Sequence, residues 1–102
     1  MSFTGRTTQD LDAVTTFAVT QSYTVLTCTG PESLATITGG TTGSVIFIEN
    51  GDTDCTITDD ESPTAADAID VTGAANDVGS VAKVIGLIYN GTSWLQIFES
   101  DN

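Results

Sequence analysis

The chain contains no histidine and almost no positive charge. Its 102 residues include 14 acidic and only 2 basic side chains, so the formal net charge is -12. Proteins that bind DNA or RNA neutralise several phosphates with Lys or Arg, and binding to anionic membranes needs similar clusters of cations. Arg6 and Lys83 are too few for either task. We therefore expect neither nucleic acid nor a membrane among the partners.

Long apolar runs are also missing. No stretch approaches the roughly 18 apolar residues of a membrane-spanning helix. The first residues lack the basic and apolar segments of a secretory signal. We therefore expect synthesis in the cytoplasm, with any later site of action reached by another route.

Catalytic signatures are equally scarce. Without histidine, the usual general base is missing, and neither Ser44 nor Ser80 completes a G-x-S-x-G nucleophile motif. Asp59 with Asp60 or Glu61 is a possible carboxylate pair for glycoside hydrolysis. Adjacent carboxylates in an acidic loop are more often solvated, so the sequence predicts a protein that is not an enzyme.

Cys28 and Cys55 are the only cysteines, and they fall in two different predicted strands. Three interpretations remain open. The favoured one is two separate buried thiols, which behave as small apolar side chains. A disulfide is geometrically possible, although cytoplasmic synthesis disfavours it. A metal site would be incomplete with two thiols and no histidine.

The remaining pattern is that of a β protein. Segments with alternating polarity or many β-branched residues recur at short spacing, and no segment has a helical period. They predict an all-β fold, a single antiparallel β-sandwich or jelly-roll-like domain of about eight short strands, without an internal repeat of solenoid length. The predicted strands are residues 16–20, 22–28, 33–38, 44–50, 54–60, 68–73, 80–90 and 93–100.

The polarity of the chain divides it into two parts. Residues 1–14 are polar and aperiodic and predict an extended N-terminal arm, while residues 15–102 form the β-domain. An arm that holds one of the two cations is suited to docking on a partner protein and becoming ordered there. Its candidate docking residues are Phe3, Arg6 and Leu11.

Two Asn-Gly pairs predict hairpins. Asn50-Gly51 follows the most apolar strand, and the next strand is expected to return antiparallel to it. Asn90-Gly91 is expected to form a type I′ turn, because these two residue types tolerate positive φ. In the strand after it, alternation places Trp94, Gln96 and Phe98 on one face.

Acidic loops offer a possible cation site. Ca²⁺ binds six to eight oxygen atoms, and carboxylates are its usual protein ligands. Asp52, Asp54, Asp59 and Asp60 are the candidate ligands, but their spacing matches no EF-hand loop. Solvated surface charge is the alternative interpretation.

The aromatic side chains near the end of the chain have two possible roles. Tyr89, Trp94 and Phe98 can pack in the core or between subunits, or they can form an exposed platform that binds sugars. Burial of Trp94 with Tyr89 would favour a structural role, whereas their exposure in a concave patch would favour recognition.

The segments VIFIENGD, TITDD and LIYNGTSWLQI, with the final Ser-Asp-Asn, resemble a small β-module of tailed-bacteriophage virion proteins. Such modules occur in capsid decoration proteins, head fibres and tail fibres. The similarity covers about residues 17–102 and is most specific over 87–102. It departs from the family pattern at residues 97–99, where an Arg often stands. The resemblance implies a structural, non-enzymatic role and a homotrimer.

The short arm and the absence of a fibre shaft favour one member of this class. We expect a capsid decoration (cement) protein that binds the major capsid protein or another virion protein on the outer lattice and stabilises it. Its location would be the virion, after synthesis in the host cytoplasm. The alternative is a fibre or spike knob that recognises a host surface glycan or protein.

Overall fold

The computed structural model describes residues 6–52, 54–58, 60, 66–71 and 83–100. Every regular element in these ranges is a β-strand, which confirms the predicted all-β class. No helix in this part of the chain is long and apolar enough to cross a membrane. The strands are β1 Arg6–Leu11, β2 Thr16–Ala18, β3 Tyr23–Cys28, β4 Glu32–Leu34, β5 Thr36–Thr38, β6 Val45–Asn50, β7 Cys55–Ile57, β8 Ile69–Asp70, β9 Val84–Tyr89 and β10 Trp94–Glu99.

The first seven strands wind around a common interior. Strands β1, β3 and β6 lie side by side in parallel, and the parallel pairs β2–β5 and β4–β7 form two smaller sheets. The chain passes from β3 to β4 to β5 and then returns to the first sheet at β6, beside β3. This path is that of a short parallel β-helix, in which each turn is stacked on the one before.

The last strands close one end of this winding. Strand β9 pairs antiparallel with β6, β10 pairs antiparallel with β9, and the short β8 pairs parallel with β10. The main sheet therefore has six strands in the order β1-β3-β6-β9-β10-β8. The change from parallel to antiparallel pairing marks the end of the coil.

The core consists of side chains stacked in register. Phe17 lies beside Ile37 across β2 and β5, and Leu34 lies beside Ile57 across β4 and β7. All four are buried in one apolar cluster. Burial of each such side chain contributes about 1.5–3 kcal/mol relative to exposure. The columns therefore stabilise the stacking of successive turns.

The predicted antiparallel sandwich or jelly roll is not confirmed. Of the seven strand pairs in the described ranges, five are parallel, and there are ten strands rather than about eight. The alternation of polar and apolar residues identifies strands but is the same for both directions of pairing. Successive turns of the coil also differ in length, with 17 residues from Arg6 to Tyr23 and 24 from Tyr23 to Phe47, so the sequence shows no fixed repeat.

The predicted extended N-terminal arm of residues 1–14 is not separate from the β-domain over residues 6–11. They form β1, which lies in parallel register with β3 over its whole length. Leu11 at its end is fully buried in the core. The polar appearance of this segment reflects an edge strand whose side chains are partly or wholly exposed up to Leu11. Phe3 lies outside the described residues.

The predicted hairpin at Asn50-Gly51 is also wrong. Strand β7 pairs with β4 rather than with β6. Gly51 instead lies where the chain turns a corner against β3, and its amide donates a hydrogen bond to the Leu26 carbonyl at 2.8 Å. A Cβ at Gly51 would lie 2.8 Å from Val25 Cγ1. Glycine is present there because the backbone approaches β3 closely.

Candidate functional site

The Trp94–Tyr89 pair lies inside the protein. Trp94 is fully buried, and its indole Nε1 donates a hydrogen bond to the Ile37 carbonyl at 2.9 Å. The ring centroids of Trp94 and Tyr89 are 4.9 Å apart, and the rings are tilted by 50°. A Cβ at Gly40 would lie 2.6 Å from Trp94 Cζ2, so the backbone of the loop between β5 and β6 packs directly against the indole. These two rings are therefore not an exposed platform.

Asp67 connects this aromatic pair to the neighbouring loops. Tyr89 Oη donates a hydrogen bond to the Asp67 carboxylate at 3.0 Å. The Asp67 amide donates to the Thr92 carbonyl at 2.6 Å, and its carbonyl accepts from the Ile37 amide at 3.1 Å. Its φ of 67° is in the left-handed region, which residues other than glycine rarely adopt. No motif in the sequence indicated this role.

The hydrogen bond to Asp67 also changes the acidity of the tyrosine. It raises the pKa of Tyr89 above 10.0, and burial and the nearby carboxylate charge act in the same direction. Each effect disfavours the negatively charged phenolate. Tyr89 therefore acts as a hydrogen-bond donor over the ordinary pH range.

The turn between β9 and β10 is longer than predicted. The hairpin itself is confirmed, but the pairing of Trp94 with Tyr89 leaves a four-residue loop. Only Gly91 has a positive φ there, at 103°, so the predicted type I′ turn is wrong. Asn90 Oδ1 instead accepts hydrogen bonds from the Thr92 and Ser93 amides, both at 2.9 Å. The Asn side chain thus replaces a backbone turn.

A β-bulge separates Phe98 from Trp94. The register with β9 shifts between Gln96 and Phe98, which adds Ile97 as an extra residue. The extra residue turns Phe98 to the other side of the sheet, where it meets Phe47 edge-to-face with centroids 6.3 Å apart. The predicted common face for Trp94, Gln96 and Phe98 is therefore wrong.

The side of the main sheet that points away from the core is largely apolar over β6, β9 and β10. We call it the outer face. Its apolar members are partly or largely exposed and come from β6, β9 and β10. They are Val45, Phe47, Val84, Ile88, Leu95 and Phe98.

The greatest exposure occurs at the bulge. Phe98 is 48% exposed and Ile97 is 55% exposed. A cavity of about 190 Å³ adjoins them, lined by residues 96–99.

Most charged groups of the outer face lie toward β1, where they form hydrogen bonds or ion pairs, whereas Asp70 lies at the opposite edge beside Leu95. Tyr23 Oη donates a hydrogen bond to Glu49 at 2.5 Å, and Arg6 lies 3.8 Å from the same carboxylate. The hydrogen bond to Glu49, with burial, raises the pKa of Tyr23, although Arg6 opposes this. Asp10 accepts hydrogen bonds from the Thr27 and Thr29 hydroxyls.

The candidate calcium ligands do not converge in the described part of the chain. No group of three Asp, Glu, Cys or His side chains is close enough there to hold a metal ion. Asp52 Oδ1 accepts a hydrogen bond from the Asp54 amide at 2.9 Å, which fits a local turn. Asp60 belongs to the described residues, whereas Asp59 lies outside them.

The two cysteines are joined, so the favoured interpretation of separate buried thiols is wrong. A disulfide links Cys28 at the end of β3 to Cys55 at the start of β7, with the Cα atoms 5.5 Å apart. It connects the second turn of the coil to the third. The sequence showed only that a bridge was possible, because its formation depends on how the turns stack.

The candidate docking residues lie in different environments. Arg6 is on the surface, with 64% of its side chain exposed despite its contact with Glu49. Leu11 is fully buried and cannot contact a partner without unfolding β1. Of the described candidates, Arg6 alone remains available for docking.

Comparison with protein-family models, with curated proteins and with solved structures finds no match to this chain. The functional interpretation therefore depends on the residues and geometry described above.

Proposed function

We propose that this chain is a structural protein of a tailed-bacteriophage virion, and specifically a capsid decoration protein. It binds the major capsid protein or another virion protein on the outer surface, stabilises the lattice and catalyses no reaction. It acts as a homotrimer and contacts neither nucleic acid nor membrane.

The virion class comes from the sequence resemblance, and the burial of Trp94 with Tyr89 is the observation that favours a structural role over recognition within it. The two rings pack against Gly40 and hold β10 to β5 through the Ile37 carbonyl. A glycan-recognising knob uses exposed aromatic rings, which these are not. Their position supports a structural role more than a recognition role.

The disulfide and the winding support the same role. Successive turns share in-register columns, and Cys28–Cys55 links two turns covalently. Disulfides persist on virion and cell surfaces and are rare in the cytosol of most organisms. Bonding after release from the host would lock the fold in the setting where it acts.

The charge is consistent with an outward-facing surface. A net charge of -12 on each copy would keep decorated particles apart and maintain their solubility. The chain would then bind its partner through the parts of its surface that carry little negative charge.

The proposal is tested by locating the protein in purified particles. Virions from the source phage are purified by density gradient, and the chain is quantified against the major capsid protein by mass spectrometry. We expect many copies per particle, and particles from a deletion mutant should lose their DNA at lower temperature. A chain found in only a few copies at the tail tip would support the fibre alternative, and its absence from particles would overturn the proposal.

A further inference from the structure

The outer face of the main sheet combines exposed apolar area with little charge. Ile97 and Phe98 are two of the three large apolar side chains that are exposed in the described residues. Phe98 contacts Phe47, and Leu95 pairs with Ile88 on the same face, so the apolar patch extends across β6, β9 and β10. Contiguous apolar patches of this kind usually mark interaction sites.

The distribution of charge indicates which partner this face suits. Among the residues that the structure describes, the charged side chains of the outer face are Arg6, Asp10, Glu49 and Asp70, a net charge of -2. Lys83, just before β9, pairs with Glu99 at the end of β10, and this pair adds no net charge nearby. Most of the chain's -12 therefore lies elsewhere. Two acidic copies repel each other least where they meet through such a face.

The size of the face is sufficient for self-association. The five strands β1, β3, β6, β9 and β10, spaced about 4.8 Å apart and about 20 Å long, present about 480 Å². Two copies would bury about 1,000 Å² together, which is the lower limit for a specific interface.

The exposed edge beside the bulge is poorly suited to strand addition. Gln96 Nε2 donates a hydrogen bond to the Phe98 carbonyl at 3.1 Å, and the bulge at Ile97 interrupts the ladder. Both features hinder pairing of another strand with β10. Contact through side chains on the outer face is thus favoured over extension of the sheet.

From these observations we infer that the outer face, centred on Phe47 and Phe98, is the surface through which copies of this chain associate. The inference deepens the proposed function, on whose homotrimer it rests, by assigning the interface. Because the contact is apolar and the copies repel each other, added salt strengthens it. The screening length falls from about 30 Å at about 0.01 M salt to about 3 Å at about 1 M.

The experiment measures the mass of the purified full chain by sedimentation equilibrium at low and high salt. The variants are Phe98→Ser and Ile97→Ser, with Val14→Ser as the matched control. Val14 is 45% exposed but lies between β1 and β2, away from the outer face. Circular dichroism and the emission of buried Trp94 verify that each variant is folded.

We expect association that strengthens at high salt. Phe98→Ser should weaken it about 10- to 30-fold, because loss of a central aromatic anchor has effects of this size. Ile97→Ser should weaken it less, and Val14→Ser should leave it unchanged. A mass of three copies supports both the interface and the homotrimer if the variants behave in this way, whereas a mass of two copies keeps the interface but overturns the homotrimer.

Two results would overturn the inference. A monomer under every condition would overturn self-association and the homotrimer. It would not decide whether the chain is present in virions, which the analysis of purified particles tests separately. An oligomer that Phe98→Ser does not weaken would place the interface elsewhere and would leave the homotrimer intact.

Discussion

The indole of Trp94 donates its hydrogen bond to the carbonyl of Ile37, which lies 57 residues earlier in the chain. The bond joins the closing hairpin to the two-stranded sheet of β2 and β5. It satisfies a buried donor and a backbone acceptor at once, so both would be unpaired without it. The hairpin of β9 and β10 is therefore needed to complete the core.

Replacing Trp94 with Phe should strongly destabilise the fold. The smaller ring leaves a cavity and deprives the Ile37 carbonyl of its donor, so we expect a loss of about 2–4 kcal/mol in the free energy of unfolding. Urea titration followed by circular dichroism measures it. Phe98→Leu on the same strand should change stability by less than about 1 kcal/mol, because the residue is half-exposed. Equal losses would contradict the proposed difference.

Substituting Gly40 with Ala tests the close contact between the loop and the aromatic pair. The new methyl group would lie 2.6 Å from Trp94 Cζ2 and 3.0 Å from Tyr89 Cγ, so the loop or the rings must move. We expect a loss of about 1–3 kcal/mol in stability. Gly30→Ala is the matched control, since its nearest neighbour would be 3.9 Å away. Thermal unfolding of both variants decides the matter, and two similar melting temperatures would argue against the steric explanation.

Removal of the disulfide should destabilise the coil substantially. Cys28–Cys55 closes a segment of 27 residues, and the chain-entropy relation gives about 3.5 kcal/mol for such a loop. The double variant Cys28→Ala/Cys55→Ala should lose about that amount in urea unfolding. Reductant should lower the melting temperature of the natural protein and leave that of the double variant unchanged. Insensitivity of both to reductant would mean that the thiols are not bonded.

The two tyrosines predict a loss of stability at alkaline pH. The pKa of Tyr23 is raised chiefly by its bond to Glu49, and that of Tyr89 chiefly by its bond to Asp67. A raised pKa in the folded state means that the unfolded chain loses its phenolic protons first. Stability should therefore be retained below about pH 10 and fall as pH rises through the folded values.

This pH dependence can be measured by urea unfolding together with ultraviolet titration of the phenolates. Tyr89→Phe removes the hydroxyl and keeps the ring, so it should cost about 1 kcal/mol near neutral pH. It should also reduce the alkaline slope, and the double variant with Tyr23→Phe should reduce it further. If the slope were the same in all three proteins, other groups would have to account for it.

Much of the local structure could be predicted from the sequence. Alternating and β-branched residues identified the main strands, and Asn90-Gly91 identified the closing hairpin. These signals are local, because they depend on the conformation that a short segment adopts and on which side chains lie on one face. The positions of Trp94 and Tyr89 at the start of β10 and the end of β9 followed from the same hairpin.

Other features depended on contacts between distant residues. The parallel direction of the coil, the pairing of β7 with β4 and the corner at Gly51 could not be read from alternation or from a turn motif. A single extra residue at Ile97 moved Phe98 to the opposite face. Asp67 received its role from Tyr89, which lies 22 residues away.

The sequence by itself determined the all-β class, the acidic surface and the absence of histidine chemistry, because these follow from composition and short-range pattern. The tertiary structure alone decided that Cys28 meets Cys55, that Leu11 is buried and that Trp94 lies inside. Each of these depends on how successive turns stack. That stacking is set by apolar burial summed over the whole core, to which no short segment contributes enough to be recognised alone.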